Sequence, residues 1–447
     1  MAITRRQFVA TFGALAAAAG IGQADIAKLT EAFAYGNFGG AGVKPTVYWV
    51  HGAECTGCST SLLGLFENLS GKAFDGLNPV PATTVLDAVG LMGTGPGGGV
   101  GRTLPALNVD PVAATTLNIA DVVVDVINLK YHETIMGPGG DSAYKILNDA
   151  RTLGDGTFVL VVEGAVQDNS TAADTGGYWN KPGHAGSAAW CSIAMDGTAG
   201  ADVELKFDDV VKGLAAHAAG IVAIGQCATF GGYPACIGSG LDPLGNGATT
   251  KKQTPAFGVS EFLTRVGQTT DAAKVVNVPG CPANPWWFVL SVVMWLVDAN
   301  AILGGGAGPL GVLGPGVAGA LTPQAAAVDS TGRLKNVFGM LNHGKYCPRY
   351  TYYANGQFAS KPGGVGCLKN IGCKGLYTMA LCTRHGWNGQ QPQNLAVAPL
   401  QSPAEAAMLA YTTPVTCGGN CLTAGAPCMG CTEKGYPDAF VPFISKR

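Results

Sequence analysis

Eight of the fourteen cysteines of this chain crowd between Cys347 and Cys431, and the other six are spread from Cys55 to Cys281. In 447 residues that is too sparse for a disulfide scaffold, and the clustering points to metal ligation. Thiolates are soft ligands, and four of them suit an iron–sulfur cluster or zinc. The first pair, Cys55-Thr-Gly-Cys58, taken alone leaves zinc, a redox dithiol and a cluster all open. Cys227 stands in the stretch GQCATFGG and Cys281 in PGCPANP. Glycine beside a cysteine lets the backbone approach a bulky cluster and point N–H groups at its sulfurs.

The elements that must position these thiols are short Val/Ile-rich runs at residues 46–50, 120–129, 158–162, 221–224 and 275–278, each bounded by Gly, Pro or Asn. Helical stretches at residues 59–68 and 208–219 lie between some of them. Strands alternating with helices predict a doubly wound parallel α/β sheet, in which ligands collect at the carboxyl ends of the strands. Cys55 and Cys58, Glu163-Gly164, Cys227 and Cys281 each follow such a run, which predicts one site assembled from distant sequence. The glycine-rich stretches at 90–101 and 304–316 read as loops or insertions. The second separates the α/β part from a cysteine-dense part with little periodicity, organised by its metal ligands.

The termini and the bulk composition narrow the class. Arg5-Arg6-Gln7-Phe8 followed by the mildly apolar run 9–21 reads as a twin-arginine export signal, and Ala32-Phe33-Ala34 offers a small-residue cleavage site. That route carries proteins already folded around their cofactors, so it favours clusters over disulfides. The balance of 27 Lys and Arg against 29 Asp and Glu excludes a generally basic, nucleic-acid-binding chain. With only 13% of residues charged, much of the surface is expected to lie under a partner. The apolar run 286–297 is too short for a membrane span and reads as a core helix.

ECTGCS, GQCATFGG and PGCPANP, in this order, resemble the small subunit of [NiFe] hydrogenases. The later motifs agree: Cys347-Pro-Arg, then Cys367 and Cys373, then Cys382, then PCMGCTE around Cys428 and Cys431. The resemblance runs from about Val47 to the C-terminus. It implies a flavodoxin-like domain at 45–303 with a proximal cluster, behind the signal peptide read at 1–34. A loop-rich, mostly irregular or helical iron–sulfur domain at 333–447 would hold the medial and distal clusters. Cys55, Cys58, Cys227 and Cys281 would hold the proximal [4Fe–4S] cluster. His343, Cys347, Cys367 and Cys373 would hold the distal one. Cys382, Cys428 and Cys431 would hold the medial cluster.

Three departures from the family pattern carry expectations. Three residues separate His343 from Cys347, one more than is usual. Cys421 falls where many relatives have proline, so the medial cluster is expected to be [4Fe–4S] rather than [3Fe–4S]; Cys417 as that ligand, or a Cys417–Cys421 disulfide, is the open alternative. Gly57 and Gly232 stand where some oxygen-tolerant members carry extra cysteines, so an ordinary proximal cubane is expected. Cys191, Cys236 and Cys417 are left as thiols without a role. Glu54 and Glu163, beside strand ends, are read as anchors for backbone amides before proton carriers. His51 and His217 are read as structural.

The implied role is electron conduction for H₂ ⇌ 2H⁺ + 2e⁻, with no catalytic residue in this chain. The Ni–Fe site would lie in a large-subunit partner, and a cytochrome or other redox acceptor would take the electrons. The location would be periplasmic, in a soluble enzyme or one tethered through another subunit. The rivals are an H₂ sensor and a complex I-like cluster subunit. Export disfavours the first and the C-terminal cysteines disfavour the second.

Overall fold

A computed structural model of the chain describes residues 46–63, 66–68, 116–118, 127–169, 191–196, 203–236, 256–285, 287–288, 291, 328–339, 341–344, 347–380, 382, 420–422 and 424–444. The export signal, both glycine-rich stretches, Cys417 and most of the apolar run 286–297 lie outside these residues.

Five strands form the central sheet: β1 (Thr46–His51), β2 (Asn128–His132), β3 (Phe158–Glu163), β4 (Gly220–Ile224) and β5 (Val275–Val278). The spatial order is β5-β4-β3-β1-β2, and every pairing is parallel. This is the flavodoxin-like order, whose switch point lies between β1 and β3. β3, β4 and β5 are buried at every position, as parallel strands covered on both faces must be. Their Val and Ile side chains fit a pleated surface and carry no polar atoms needing partners.

Helices α1 (Gly57–Leu63), α2 (Gly140–Ala150), α3 (Phe207–His217), α4 (Gly225–Phe230) and α5 (Val259–Arg265) connect or flank the strands. On α3, Val210, Val211, Leu214 and Ala215 recur at helical spacing and are buried. They share one core with Leu147 of α2, Phe262 of α5 and Leu160 of β3. Losing a fully buried leucine such as Leu214 to alanine costs about 2–5 kcal/mol.

Two boundaries differ from the sequence reading. The first helix begins at Gly57 and ends at Leu63, while residues 66–68 pair antiparallel with 116–118. Glu163 receives the amides of Cys58 and Ser59 at 3.0 and 3.1 Å, which fixes the early start, and Gly64 follows the last helical residue. The second strand occupies Asn128–His132 rather than starting at 120, and residues 120–126 are outside the described set.

Beyond residue 328 regular structure is sparse, with one helix at Tyr350–Ala354 and 3₁₀ turns at Leu368–Ile371 and Asp438–Phe440. Within this part Arg333 binds Asp329 at 2.8 Å, Glu433 at 3.0 Å and the carbonyl of Thr432 at 2.8 Å. Polar contacts join it to the sheet: Asn277 of β5 donates its side-chain amide to the carbonyl of Thr331 at 2.8 Å and its backbone amide to that of Gly332 at 2.9 Å. Gln226 of α4 donates to the carbonyl of Glu433, and Tyr436 donates to Tyr233. No helix among the described residues is long and apolar enough to cross a membrane.

Candidate metal centres

The carboxyl edge of the sheet brings Cys55 and Cys58 after β1, Cys227 at the start of α4 and Cys281 after β5 to one place. Burial pushes the Cys58 thiol well above its ordinary range, with Glu163, Cys227 and Cys281 as further negative neighbours. Cys227 is pushed up to about 12 by burial and by Cys281 and Cys55. Cys281 is raised by burial and by Cys55. Of the four, Cys58 is buried, Cys227 and Cys281 are partly buried and Cys55 is exposed; the raised thiols gain nothing as a free set, whereas a cationic iron core would make thiolates of them.

The backbone around them leaves no room for side chains. Gly225 has φ +84°, and a Cβ there would collide with the Cys58 sulfur. A Cβ on Gly57 would sit 2.9 Å from the Cys55 sulfur, and one on Gly232 3.0 Å from that of Cys227. The Ala283 amide points at the Cys58 sulfur at 3.4 Å. A cradle of this kind fits a compact cluster held by four thiolates.

Glu163 sits directly behind this edge. It accepts from the Cys58 and Ser59 amides, the Ser59 hydroxyl at 2.5 Å and the Trp49 indole at 3.2 Å. Four donors fill both oxygens, so its geometry is that of an anchor for the Cys55–Cys58 turn. Ligand atoms of His51, Glu54 and Glu163 lie within 4.8 Å of one another, but the oxygens of Glu163 are already taken. His51 meets Glu54 at 3.2 Å and stacks edge-on against His132 at 4.8 Å. Burial pushes both imidazoles down. His132 falls to about 4 with His51 adding repulsion, while Glu54, Glu163 and Glu133 outweigh burial and raise His51. His217 pairs with Asp155 at 2.7 Å on the surface. Neither histidine's partner was visible in the sequence, because Glu133 and Asp155 come from other elements and the Glu54 contact needs the turn after β1.

Farther along the chain a second group forms around Cys382. Burial raises its thiol strongly, and Cys428, Cys431 and Cys421 are its charged neighbours in that order. Cys431 is raised well above its ordinary range by burial, then by Cys428, Cys421 and Cys281. Cys421, a free thiol, is pushed up to about 11 by burial, then by Cys428 and Cys373. Asn342 donates to the Cys428 sulfur at 3.4 Å, a contact no spacing in the sequence announced.

The third group is Cys347, Cys367 and Cys373. Burial pushes Cys347 up to about 12 and Cys373 to about 11, and each has Cys367 among its neighbours. His343 lies beside them: its amide donates to Gly375, whose added Cβ would lie 3.5 Å from the Cys373 sulfur and 3.8 Å from the His343 Cβ. His343 Nε2 is buried and has no hydrogen-bond partner. Burial and nearby Lys369 lower its pKa, keeping the imidazole neutral. A buried, neutral, unpartnered ring nitrogen beside three thiols fits a metal ligand. The amide of Cys428 donates to the Cys373 sulfur at 3.4 Å, so the second and third groups adjoin.

The thiols expected to share a site thus have one another as neighbours, although Cys421 also has Cys373 beside it and Cys431 has Cys281. Cys191 packs against the main core and is pushed up to about 11 by burial and nearby carboxylates, far from a ligand role.

A flavodoxin-like sheet with glycine-cradled cysteines at its carboxyl edge has a ligand set suited to an iron–sulfur cluster. The family model described as NADH ubiquinone oxidoreductase, 20 Kd subunit matches residues 111–295. The C-terminal family model of the NiFe/NiFeSe hydrogenase small subunit matches residues 338–398. The chain is 26% identical over 445 residues to the periplasmic [NiFeSe] hydrogenase small subunit of Desulfomicrobium baculatum, covering 99% of each. It is 27% identical over 468 residues to the F420 non-reducing hydrogenase I small subunit of Methanosarcina mazei, covering 98% of this chain and 83% of the relative. The solved [NiFeSe] hydrogenase from Desulfovibrio vulgaris Hildenborough matches with a TM-score of 0.56 and 26% identity, over 90% of this chain and 98% of that one. These matches make the chain similar to [NiFe] and [NiFeSe] hydrogenase small subunits over nearly its whole length.

Proposed function

We propose that this chain is the electron-transfer subunit of a periplasmic hydrogenase, exported by the twin-arginine route and paired with a large subunit that carries the Ni–Fe site. It relays electrons from H₂ oxidation to a cytochrome or other redox acceptor. In this reading Cys55, Cys58, Cys227 and Cys281 hold a proximal [4Fe–4S] cluster. Cys382, Cys421, Cys428 and Cys431 hold a medial [4Fe–4S] cluster, and His343, Cys347, Cys367 and Cys373 a distal one. The domains are 45–303 and 333–447, behind a signal at 1–34. Bound clusters supply one-electron carriers whose potentials follow ligand type, sulfur hydrogen bonds and exposure.

The chain's own residues do the rest. Buried thiols and their glycine cradles bind and exclude water. Glu163 fixes the turn that presents Cys55 and Cys58. Asn342 and the Ala283 amide donate to sulfur and favour the more negative state of what those sulfurs bind. The observation that carries the reading is the serial contact of the three groups. Cys281 is among the neighbours that raise the Cys431 thiol, and the Cys428 amide donates to the Cys373 sulfur at 3.4 Å. Each group thus neighbours the next. A complex I-like subunit needs only the first group, and its family match ends at residue 295.

Iron and acid-labile sulfide analysis of the purified complex tests this. Three cubanes give about twelve irons per small subunit, and H₂ reduces their visible absorption. A folded, colourless, iron-free chain, or one without a large-subunit partner, would end the proposal.

A further inference from the structure

Between Asp329 and Glu405 the sequence contains eight Lys and Arg and no Asp or Glu, while the whole chain carries net charge −2. The surplus of basic charge is therefore concentrated in the part that holds His343, Cys347, Cys367 and Cys373. Lys361 and Lys369 are exposed there. Lys369 Nζ lies 5.5 Å from the Tyr353 ring centre and 6.0 Å from that of Phe358. Arg349 gives its guanidinium to the carbonyls of Leu422, Gly364 and Gly366 at 3.0, 2.8 and 2.7 Å. Lys374 reaches the carbonyl of Pro442 at 3.4 Å. Among the described residues none of these four cations makes an ion pair, so their field projects outward instead of being cancelled locally.

Beside Lys369 is an aromatic patch. His343 packs edge-on against Tyr353 at 4.4 Å and Tyr350 at 5.5 Å, and Tyr353 reaches Phe358 at 6.4 Å. Tyr350 and Phe358 are 43% and 38% exposed, and Val365 of the neighbouring loop 41%. Exposed aromatic and aliphatic groups ringed by charge are the anatomy of a transient protein interface, and the sign of the ring selects the partner.

We propose that this surface docks an electron-acceptor protein whose own docking face is acidic. The inference rests on the proposed function, since that reading makes the His343 group the exit point for electrons. Opposite charges raise the encounter rate and hold a short-lived complex with the His343 ring beneath the contact. Added salt must weaken it, because the Debye length is only about 10 Å at 0.1 M.

The test titrates the intact two-subunit enzyme by calorimetry with soluble cytochrome b5, whose haem edge is ringed by carboxylates, and with cytochrome c, whose haem edge is ringed by lysines. Cytochrome b5 is expected to bind at low salt and to weaken about tenfold or more as ionic strength rises toward 0.3 M. Cytochrome c is expected not to bind at low salt. The double variant K361E/K369E should bind cytochrome b5 about tenfold more weakly, and K361R/K369R should bind it as the wild type does. Tighter binding of cytochrome c than of b5, or no effect of K361E/K369E, would overturn the proposal. So would wild-type enzyme that sediments with phosphatidylglycerol vesicles and no longer binds cytochrome b5 in their presence, which would assign the basic face to a membrane. H₂-dependent reduction of a neutral quinone, measured beside the titrations, reports on the electron relay separately: its absence sinks the proposed function, while the binding results decide only the docking surface.

Discussion

Cys421 is the residue at which this chain departs most from the pattern it resembles. Cys382, Cys428, Cys431 and Cys373 are its thiol neighbours. In the proposed reading a fourth thiolate retains the fourth iron. Oxidised wild-type protein is then expected to lack the EPR signal of a [3Fe–4S] centre, and Cys421→Ser is expected to acquire it. A strong [3Fe–4S] signal in the wild type would remove Cys421 from the ligand set. Glu163 illustrates a different economy at the same scale. One carboxylate satisfies two amides, one hydroxyl and one indole. In Glu163→Gln an NH₂ group must face some of those donors. The loss is expected to be about 2–4 kcal/mol in a urea titration, without any change of ligand set.

At the scale of elements, the central fact is that β1, β4 and β5 end on one edge and each hands its chain to a cysteine. The turn into α4 shows how tight this is. Gly225 holds φ +84° with the Cys58 sulfur where a Cβ would go. Gly225→Ala combines strained backbone with a blocked cradle. It is expected to lower iron content by about four per chain, one cluster's worth, while the far-UV spectrum of the sheet and helices survives. Full iron content in that variant would show that the cradle does not hold a cluster. The Val/Ile-rich strands tolerate no comparable freedom of register, because both faces are buried.

At the scale of the molecule, the sparse C-terminal part is held together by a few buried polar links, with Arg333 at the centre. Its partner Asp329 is held below its ordinary 3.8: burial pushes it up, but Thr331 and Arg333 outweigh burial. A depressed carboxylate adds stability that is complete above its unfolded pKa and is lost as pH falls through its lower folded value. Asp329→Asn is therefore expected to cost about 1–3 kcal/mol at pH 7. The gap to the wild type should narrow as pH drops below about 4, measured by denaturant unfolding across that range. A gap independent of pH would show that the Asp329 charge is not what holds the C-terminal part together.

The local sequence was enough to mark the thiols, the strands before them and the fold class. Thiolate chemistry, Val/Ile runs and glycine neighbours are properties of a few adjacent residues, and they read the same before folding as after it. Boundaries were less legible. The first helix starts at Gly57 because Glu163, more than a hundred residues away, receives its first amides. The grouping of Cys421 with Cys382, the orphaned Nε2 of His343 and the donation from Asn342 to Cys428 likewise join residues that no spacing connects. The basic exit face is the clearest case. The run of Lys and Arg without acid was written in the sequence, yet only folding decided that it surrounds His343 and an aromatic patch, because electric field and burial depend on distance through space.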